Sequence, residues 1–193
     1  MKITFIRHGE TYGNLEKKYS GITDVKLTKI GLKQSDMIVK KIAKFKYDKI
    51  YSSPLRRTKY IAENLNEDIC YINELREFDF GIFEGKTFKD IEKLYPNEWN
   101  CWTNNFETYK IPNGESLTEF DNRIHGFLEI LLLEEYEELL IITHSGVIRS
   151  ALIYLLELES KDRWKFQINN CSIVKLEYKH EYGQLILLEN LEE

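Results

Sequence analysis

The sequence predicts an α/β fold, a three-layer sandwich in which helices cover both faces of a mostly parallel sheet. Short apolar runs typical of buried strands alternate along the chain with longer segments of helical periodicity. This alternation favours parallel strands joined by right-handed crossovers. A helical segment at about 87–115 interrupts the alternation, and a hairpin pattern ends the chain. We therefore expect a helical cap over the carboxyl edge of the sheet and a C-terminal antiparallel hairpin.

The first part of the chain contains three predicted strands and two predicted helices. The strands are residues 2–7, 49–52 and 69–72. The first helix begins after an N-cap at Thr28 and runs to about Phe45. Its apolar members are Ile30, Met37, Ile38, Ile42 and Phe45. Ser53 as N-cap and Pro54 as first helical residue start the second helix. Its apolar face is Leu55, Thr58, Ala62 and Leu65.

The middle of the chain is predicted to be a loop followed by the cap. Residues 73–86 contain two glycines and several charges, which favours a loop. Residues 87–107 predict one or two short helices broken at Pro96. The packing anchors of these helices are Trp99, Trp102 and Phe106. A turn is expected at 111–114.

The last part predicts a helix, a strand, a helix and a hairpin. Ser116 and Glu119 form a capping box that opens a long helix. The apolar stripe of that helix is Leu117, Phe120, Ile124, Phe127 and Leu131. Residues 139–143 form a buried strand, and residues 146–156 form a helix. The hairpin consists of strands at 172–178 and 184–188 with a turn near Tyr182-Gly183.

Length and charge limit the function classes. A chain of 193 residues, 42% of them hydrophobic, is most simply one domain over 1–193. The net charge of −5 argues against a nucleic-acid partner, because such binding needs surplus Lys and Arg. Residues 1–20 have no apolar signal-peptide core, and no apolar run is long enough for a membrane span. We expect a cytoplasmic protein without membrane association, and the sequence leaves the oligomeric state open, a homodimer included.

Cysteine and histidine spacing gives no sign of a metal site. Cys70, Cys101 and Cys171 are widely separated, and no CxxC pattern occurs. The four histidines form no paired ligand spacing. We therefore expect three reduced thiols, no metal and no cofactor.

Two histidines follow buried strands at glycine-marked turns. His8 and Gly9 come after the run 3–6, and His144 and Gly146 come after the run 139–143. In open α/β sheets, ligands bind at the carboxyl edge, where such strands end. With Arg7 beside His8, the pattern predicts chemistry on an anion.

Five segments in a fixed order form a signature. They are residues 7–11 with Asn14, residues 21–28 with Gly31, residues 52–58, residues 75–81 with 84–85, and residues 143–149. Together they resemble the histidine phosphatase superfamily (phosphoglycerate mutase-like, branch 1) over nearly the whole chain. The resemblance implies the phosphoglycerate mutase-like fold and a metal-independent phosphoric monoester hydrolase whose partner is a small-molecule phosphomonoester.

The resemblance and the chemistry of phosphoryl transfer assign roles to individual residues. His8 is the expected nucleophile that forms a phosphohistidine, and Glu77 the expected general acid and base. Arg7 and Arg57 would donate paired N–H groups to phosphate oxygens, and His144, if protonated, would be a third cationic donor. Additional donors to phosphate or substrate are expected from Asn14, Tyr19, Ser20, Gly21 and Ser145.

Several positions remain open on physical grounds. Arg56 and Arg57 are adjacent, and only the family pattern selects Arg57 for the site. The acids that compete with Glu77 are Glu74, Asp79 and Glu84. Arg149 is interpreted as structural, since it lies one helical turn beyond His144. The remaining histidines, His125 and His180, are interpreted as solvated.

The outcome of the reaction also has alternatives. A phosphoglycerate mutase needs cap cations for the substrate carboxylate, and Lys110 is the one basic residue between Lys93 and Arg123. This favours a phosphatase. The segments 83–87 and 111–116, together with the Trp99/Trp102 pair, most resemble α-ribazole phosphatases of cobalamin biosynthesis, which act on α-ribazole 5′-phosphate. The alternatives are a cofactor-dependent phosphoglycerate mutase, a broad-specificity phosphatase and, least favoured, a non-catalytic phosphate-binding module.

Overall fold

A six-stranded mixed sheet forms the centre of the protein, which we describe from a computed structural model covering residues 1–191. The strands are β1 (Lys2–Arg7), β2 (Lys49–Ser52), β3 (Ile69–Tyr71), β4 (Glu138–Thr143), β5 (Ile173–Lys179) and β6 (Tyr182–Glu189). Their order is β3-β2-β4-β1-β5-β6. The first four are parallel where they pair, and β5 is antiparallel to both β1 and β6. The predicted fold class is confirmed.

Seven helices and three 3₁₀ turns connect these strands within residues 1–191. The helices are α1 (Tyr12–Leu15), α2 (Lys29–Ile42), α3 (Arg56–Glu63), α4 (Phe88–Leu94), α5 (Pro96–Asn104), α6 (Leu117–Leu131) and α7 (Ser145–Leu155). The 3₁₀ turns are Asn73–Leu75, Gly81–Phe83 and Ser160–Lys165. The side chains of Thr28 and Ser116 accept N–H bonds at the starts of α2 and α6, as their sequence positions predicted.

The two faces of the sheet pack against different helices. Side chains alternate along β4, so that Leu139 and Ile141 join one buried cluster while Leu140 and Ile142 join the other. The first cluster includes α6 and α7, and the second includes α2 and α3. Because β4 is buried on both faces, it reads in the sequence as a continuous apolar run.

Two predicted helix features are wrong. In α2, Ile38 and Ile42 face the core, but Ile30, Met37 and Phe45 are exposed, and the helix ends at Ile42. The next helix begins at Arg56, two residues later than predicted, and it has no side-chain cap. The reason for the second error is that Ser53 is bonded to the β4 side of the sheet: its hydroxyl lies 2.8 Å from a ring nitrogen of His144, and its amide donates to the carbonyl of Ile142 at 2.9 Å.

The C-terminal hairpin is confirmed, but its turn lies elsewhere. His180 and Glu181 have φ values of +53° and +60° and form a two-residue turn. Both central residues of such a turn adopt positive φ. Gly183 lies within β6, where a Cβ would come 2.0 Å from the carbonyl oxygen of Leu155. The glycine at this position therefore permits close packing and does not make the turn.

The cap is helical and breaks at Pro96, as predicted. Trp102, a residue of the cap helix α5, packs against Tyr19, Phe80 and Phe106. The centroid of its ring lies 5.3–6.3 Å from the centroids of these three rings. The cap therefore contributes an aromatic surface above the carboxyl edge of β1. Within residues 1–191, no helix is both long enough and apolar enough to cross a membrane.

Candidate active site

The two predicted histidines meet at the carboxyl edge of the sheet. β1 and β4 are parallel neighbours in a register that pairs Arg7 with Thr143. His8 and His144 follow these residues directly, and their ring centroids lie 5.2 Å apart, edge to face. The adjacency follows from the strand pairing, because parallel strands in register end side by side.

A cavity of about 530 Å³ opens above this edge. Of the predicted site residues, those that line it are Arg7, His8, Asn14, Tyr19, Ser20, Arg57, Glu77 and Ser145. Its remaining walls are aromatic and basic: Phe78, Phe80, Trp102, Phe106, Phe120, Trp164, Lys18, Arg149 and Arg163, with Thr11, Leu117 and Gly146. Gly21 and His144 are the two predicted residues that do not line it.

The ring of His8 has one free nitrogen. Its Nδ1 lies 2.7 Å from the carbonyl oxygen of Gly9, and because a carbonyl only accepts, Nδ1 is the protonated nitrogen. Nε2 therefore has an available lone pair. Burial, with Arg57 and Arg7 nearby, holds the pKa of His8 well below its usual value. The imidazole is neutral, as a nucleophile must be.

His144 is a buried ring whose surroundings disfavour the cationic form that the sequence allowed. The Nε of Arg57 donates to its Nδ1 at 3.2 Å, so Nδ1 is unprotonated. Its Nε2 lies 2.8 Å from the hydroxyl of Ser53. Burial is the largest cause that lowers the pKa of His144, followed by the charge of Arg57. Both ring nitrogens are thus already bonded, and the ring supports Arg57.

Two guanidinium groups line the cavity. Arg7 donates from Nη1 to the carbonyl of Ile168 at 2.7 Å, and its Nε is buried without a partner among residues 1–191. Burial lowers the pKa of Arg7 to about 10. Arg57 is 1% exposed and bonds the carbonyls of Thr23 and Gly21 at 2.9 and 2.5 Å. These bonds hold both groups in place before any ligand binds.

The structure separates the two adjacent arginines. The side chain of Arg56 is 64% exposed and pairs with Asp24 at 3.0 Å. Arg57 points inward. The family pattern therefore selected the arginine that lies in the site.

Glu77 is fixed at the start of α7. Its Oε1 accepts from the amide of Phe78 at 3.0 Å, and its Oε2 accepts from the amide of Gly146 at 3.1 Å. A Cβ on Gly146 would lie 2.2 Å from Oε1 of Glu77. Only glycine at 146 leaves room for the carboxylate, which is therefore held on the wall of the cavity that His8 also lines.

The competing acids lie elsewhere. Glu84 accepts from the amides of Gly21 and Ile22 at 3.0 Å and so braces that loop. Asp79 accepts from the amide of Gly81 at 2.9 Å, and Glu74 is exposed. None of the three lines the cavity, so Glu77 is the acid that the fold places there.

One predicted binding residue is placed differently. The amide of Gly21 is bonded to Glu84, and its carbonyl accepts from Arg57. Gly21 therefore cannot donate to a ligand, and the expectation of direct binding by it was wrong. Asn14 lines the cavity while its Oδ1 accepts from the amide of Thr11 at 3.0 Å.

Sequence reasoning missed basic residues on the wall. Arg149 lies four positions after Ser145, so the two share one face of α7, and the helical spacing itself was the available signal. Arg163 comes from the 3₁₀ turn at 160–165, which the sequence did not predict. It pairs with Asp121 at 2.6 Å. The interpretation of Arg149 as only structural overlooked its position in the cavity.

His125 was also misjudged. It is half-buried, with Nε2 3.2 Å from the hydroxyl of Ser150 and its ring stacked on Tyr154 at 4.7 Å. His180 is exposed, as expected. Within residues 1–191, no three His, Cys, Asp or Glu side chains are grouped so that they could hold a metal ion.

Known proteins resemble the chain along its length. The profile of the histidine phosphatase superfamily (branch 1) matches residues 3–191. Phosphoserine phosphatase 1 of Hydrogenobacter thermophilus is 28% identical over 89% of this chain and 84% of its own. The "probable phosphoglycerate mutase GpmB" of Yersinia pestis is 30% identical over 93% and 86%.

Solved structures resemble the fold as well. The α-ribazole phosphatase of Shigella flexneri superposes with a TM-score of 0.91 at 25% identity, covering 98% of this chain and 96% of that one. Phosphoserine phosphatase of Entamoeba histolytica, in complex with 3-phosphoglyceric acid, has a TM-score of 0.84 at 27% identity, with 99% and 98% covered.

Proposed function

The chain belongs to the histidine phosphatase superfamily (branch 1) and is a phosphomonoesterase, and from this premise we propose that it hydrolyses small organic phosphomonoesters through a phosphohistidine on His8. The observation that carries the proposal is the free Nε2 of a neutral His8, held in one cavity with Arg7, Arg57 and Glu77.

The first step transfers the phosphoryl group to the enzyme. Nε2 of His8 forms a bond to phosphorus as the bond to the ester oxygen breaks. Glu77, in its protonated form, gives its proton to the departing alkoxide. Arg7 and Arg57 hold the equatorial oxygens, where negative charge spreads in the transition state. His144 does not line the cavity, and it positions Arg57 through the Nε–Nδ1 hydrogen bond.

The second step releases phosphate. The carboxylate of Glu77 takes a proton from a water molecule whose oxygen attacks phosphorus. The P–N bond breaks, orthophosphate leaves, and His8 returns to its neutral form. Glu77 has regained its proton, so the cycle is balanced without a metal or a cofactor.

We propose hydrolysis ahead of mutase activity because the cap brings aromatic side chains, and no basic side chain, to the cavity. Residues 88–115 contribute Trp102 and Phe106 to the cavity and no basic side chain. Lys110, the cap lysine considered for a substrate carboxylate, pairs with Glu119 at 2.7 Å outside the cavity.

The aromatic walls support a substrate with a planar organic part. We propose α-ribazole 5′-phosphate as the aromatic candidate, since a benzimidazole ring can stack on such walls. The similarity to an α-ribazole phosphatase structure supports the same candidate.

A panel of phosphomonoesters tests both proposals. α-Ribazole 5′-phosphate is expected to have a KM about tenfold below that of glycerol 3-phosphate, because about 1.4 kcal/mol of aromatic contact is added. Equal KM values would show that the walls do not contact the substrate. Conversion of 3-phosphoglycerate to its isomer with a bisphosphate primer, without release of orthophosphate, would make the enzyme a mutase.

Replacing Gly146 with alanine tests whether catalysis depends on the position of the Glu77 carboxylate. The new methyl group would displace the carboxylate, and a misplacement of about 1 Å can cost about 10²-fold in kcat. Alanine favours helix by about 1 kcal/mol, so the melting temperature is not expected to fall. Turnover of an alkyl phosphate and thermal melting are the measurements.

Gly126→Ala is the matched control. Gly126 lies in α6, and a Cβ there meets nothing within 4 Å. Unchanged turnover in Gly146→Ala would mean that the position of Glu77 is not critical.

A further inference from the structure

The carboxylate of Glu84 joins two loops. Its Oε1 accepts from the amides of Gly21, Ile22 and Phe80 at 3.0–3.1 Å. Its Oε2 accepts from the amide and the hydroxyl of Thr23. A carboxylate offers about four acceptor sites, so this group is almost fully used inside the protein. Hydrogen bonds to an ionised acceptor are roughly twice as strong as neutral ones, and Glu84 therefore holds the loop around Gly21 firmly.

The loop that Glu84 holds in turn holds Arg57. Nη1 of Arg57 donates to the carbonyl of Thr23 at 2.9 Å, and Nη2 donates to the carbonyl of Gly21 at 2.5 Å. Nη2 also lies 3.5 Å from the carbonyl oxygen of Ser20. The loop therefore connects a carboxylate that does not line the active-site cavity to a guanidinium that does.

These contacts leave the guanidinium of Arg57 little freedom. Its Nε donates to Nδ1 of His144 at 3.2 Å, so each of its three nitrogens already donates a hydrogen bond inside the protein. A guanidinium has five N–H groups, and the bonds within residues 1–191 leave at least one, on Nη1, for a phosphate oxygen. The direction of that N–H depends on the plane of the group, which the carbonyls of Gly21 and Thr23 set.

Close packing and charge also couple Glu84 to Arg57. A Cβ on Gly21 would lie 1.6 Å from the carbonyl oxygen of Phe78 and 2.6 Å from Oε1 of Glu84, so the two loops have no gap between them. Burial lowers the pKa of Arg57, and the charges of Glu77 and Glu84 oppose that effect. Glu84 thus stabilises both the position and the charge of the guanidinium.

We propose that Glu84 is a positioning residue for phosphoryl transfer, which fixes Arg57 through the backbone of residues 21–23 without touching the substrate. The proposal rests on the proposed hydrolysis through His8, in which Arg57 holds the equatorial oxygens. It gives a role to a carboxylate whose sequence position suggested only a rival to Glu77 as general acid. Loss of this carboxylate should therefore impair catalysis only as far as Arg57 contributes to it.

Glu84→Gln is the first test. The substitution keeps the size of the side chain but turns one acceptor oxygen into an NH2 group, which cannot accept from the loop amides. We expect kcat/KM for p-nitrophenyl phosphate to fall about 10–10²-fold, since a displacement of about 1 Å in an active site can cost about 10²-fold. Asp79→Asn is the matched control. Its Oδ1 accepts from the amide of Gly81 at 2.9 Å and not from residues 20–23, so kcat/KM should stay near the wild-type value.

A double-mutant cycle separates positioning from general stability. Arg57→Met removes the guanidinium, and in that background Glu84→Gln should have almost no further effect on kcat/KM, because the group that Glu84 positions is gone. A merely structural carboxylate would lower kcat/KM by the same factor in both backgrounds, and that result would overturn the proposal. The same cycle on the Kd of orthophosphate, measured by calorimetry, should show the same dependence on Arg57 and does not require turnover.

The outcomes separate this proposal from the reaction. Wild-type kcat/KM in Glu84→Gln, like equal losses in both backgrounds, would overturn the positioning role and leave hydrolysis through His8 intact. Absence of turnover by the wild type would contradict the proposed function, while the orthophosphate cycle would still decide the role of Glu84. If Glu84→Gln or Arg57→Met fails to fold in a melting experiment, Glu84→Asp or Arg57→Lys takes its place in the cycle.

Discussion

Replacing His8 with alanine is expected to lower kcat by at least about 10³-fold, because the variant has no atom that can accept the phosphoryl group. Wild-type enzyme quenched during turnover of a ³²P-labelled ester should retain an acid-labile, base-stable label, and the variant should retain none. Phosphate binding should persist, since Arg7 and Arg57 are braced by carbonyls and not by His8.

A second substitution at His8 separates the loss of the nucleophile from the loss of a polar side chain. His8→Asn keeps a polar side chain near the carbonyl of Gly9 and should be as inactive as His8→Ala. His180→Asn is the matched control, because His180 is exposed on the hairpin turn at positive φ, which asparagine tolerates. Substantial turnover in either His8 variant would remove the nucleophile assignment.

Replacing Glu77 with glutamine is expected to lower kcat for alkyl phosphates by about 10²–10⁴-fold, since the amide can neither donate a proton to the alkoxide nor take one from water. An aryl phosphate, whose leaving group needs little protonation, should still phosphorylate His8. The second step would then be slow. A burst of phenol equal to the enzyme concentration, with accumulation of phosphoenzyme, is the expected signature in a stopped-flow experiment.

The Glu77→Gln experiment needs two controls, one for stability and one for the loss of a carboxylate. Both oxygens accept amide N–H bonds, so glutamine loses one of them, and a melting curve must accompany the kinetics. Glu74→Gln removes an exposed carboxylate of the same loop and should leave kcat near the wild-type value. If Glu77→Gln instead weakens phosphate binding as much as it slows chemistry, Glu77 is a structural residue.

Local sequence signals predicted most of the fold. Thr28 and Ser116 cap helices with hydrogen bonds to amides three residues away, and such contacts depend only on the neighbouring chain. The start of α3 was missed because Ser53 bonds to His144, 91 residues away. Capping preference cannot include a partner that only the folded sheet supplies.

The site residues also divide into those that the sequence predicted and those that only the folded structure revealed. The family pattern selected Arg57 and Glu77 from their neighbours, and the fold places both in the cavity. It did not reveal that Gly21 is already bonded to Glu84, or that Arg149 reaches the cavity. The bond between Gly21 and Glu84 joins residues 63 positions apart, which sequence spacing does not encode, whereas the helical spacing from Ser145 was a signal for Arg149 that was not used.

The sequence by itself determined the order of the strands and helices along the chain and the positions of His8 and His144 directly after two strands. It could do so because periodicity, capping and turn residues act over a few positions. The tertiary structure alone decided which ring nitrogen of His8 is free, that His144 bonds to Arg57 and Ser53, and that Arg163 pairs with Asp121. Protonation and charge pairing follow from burial and from contacts between residues distant in the chain, which exist only after folding.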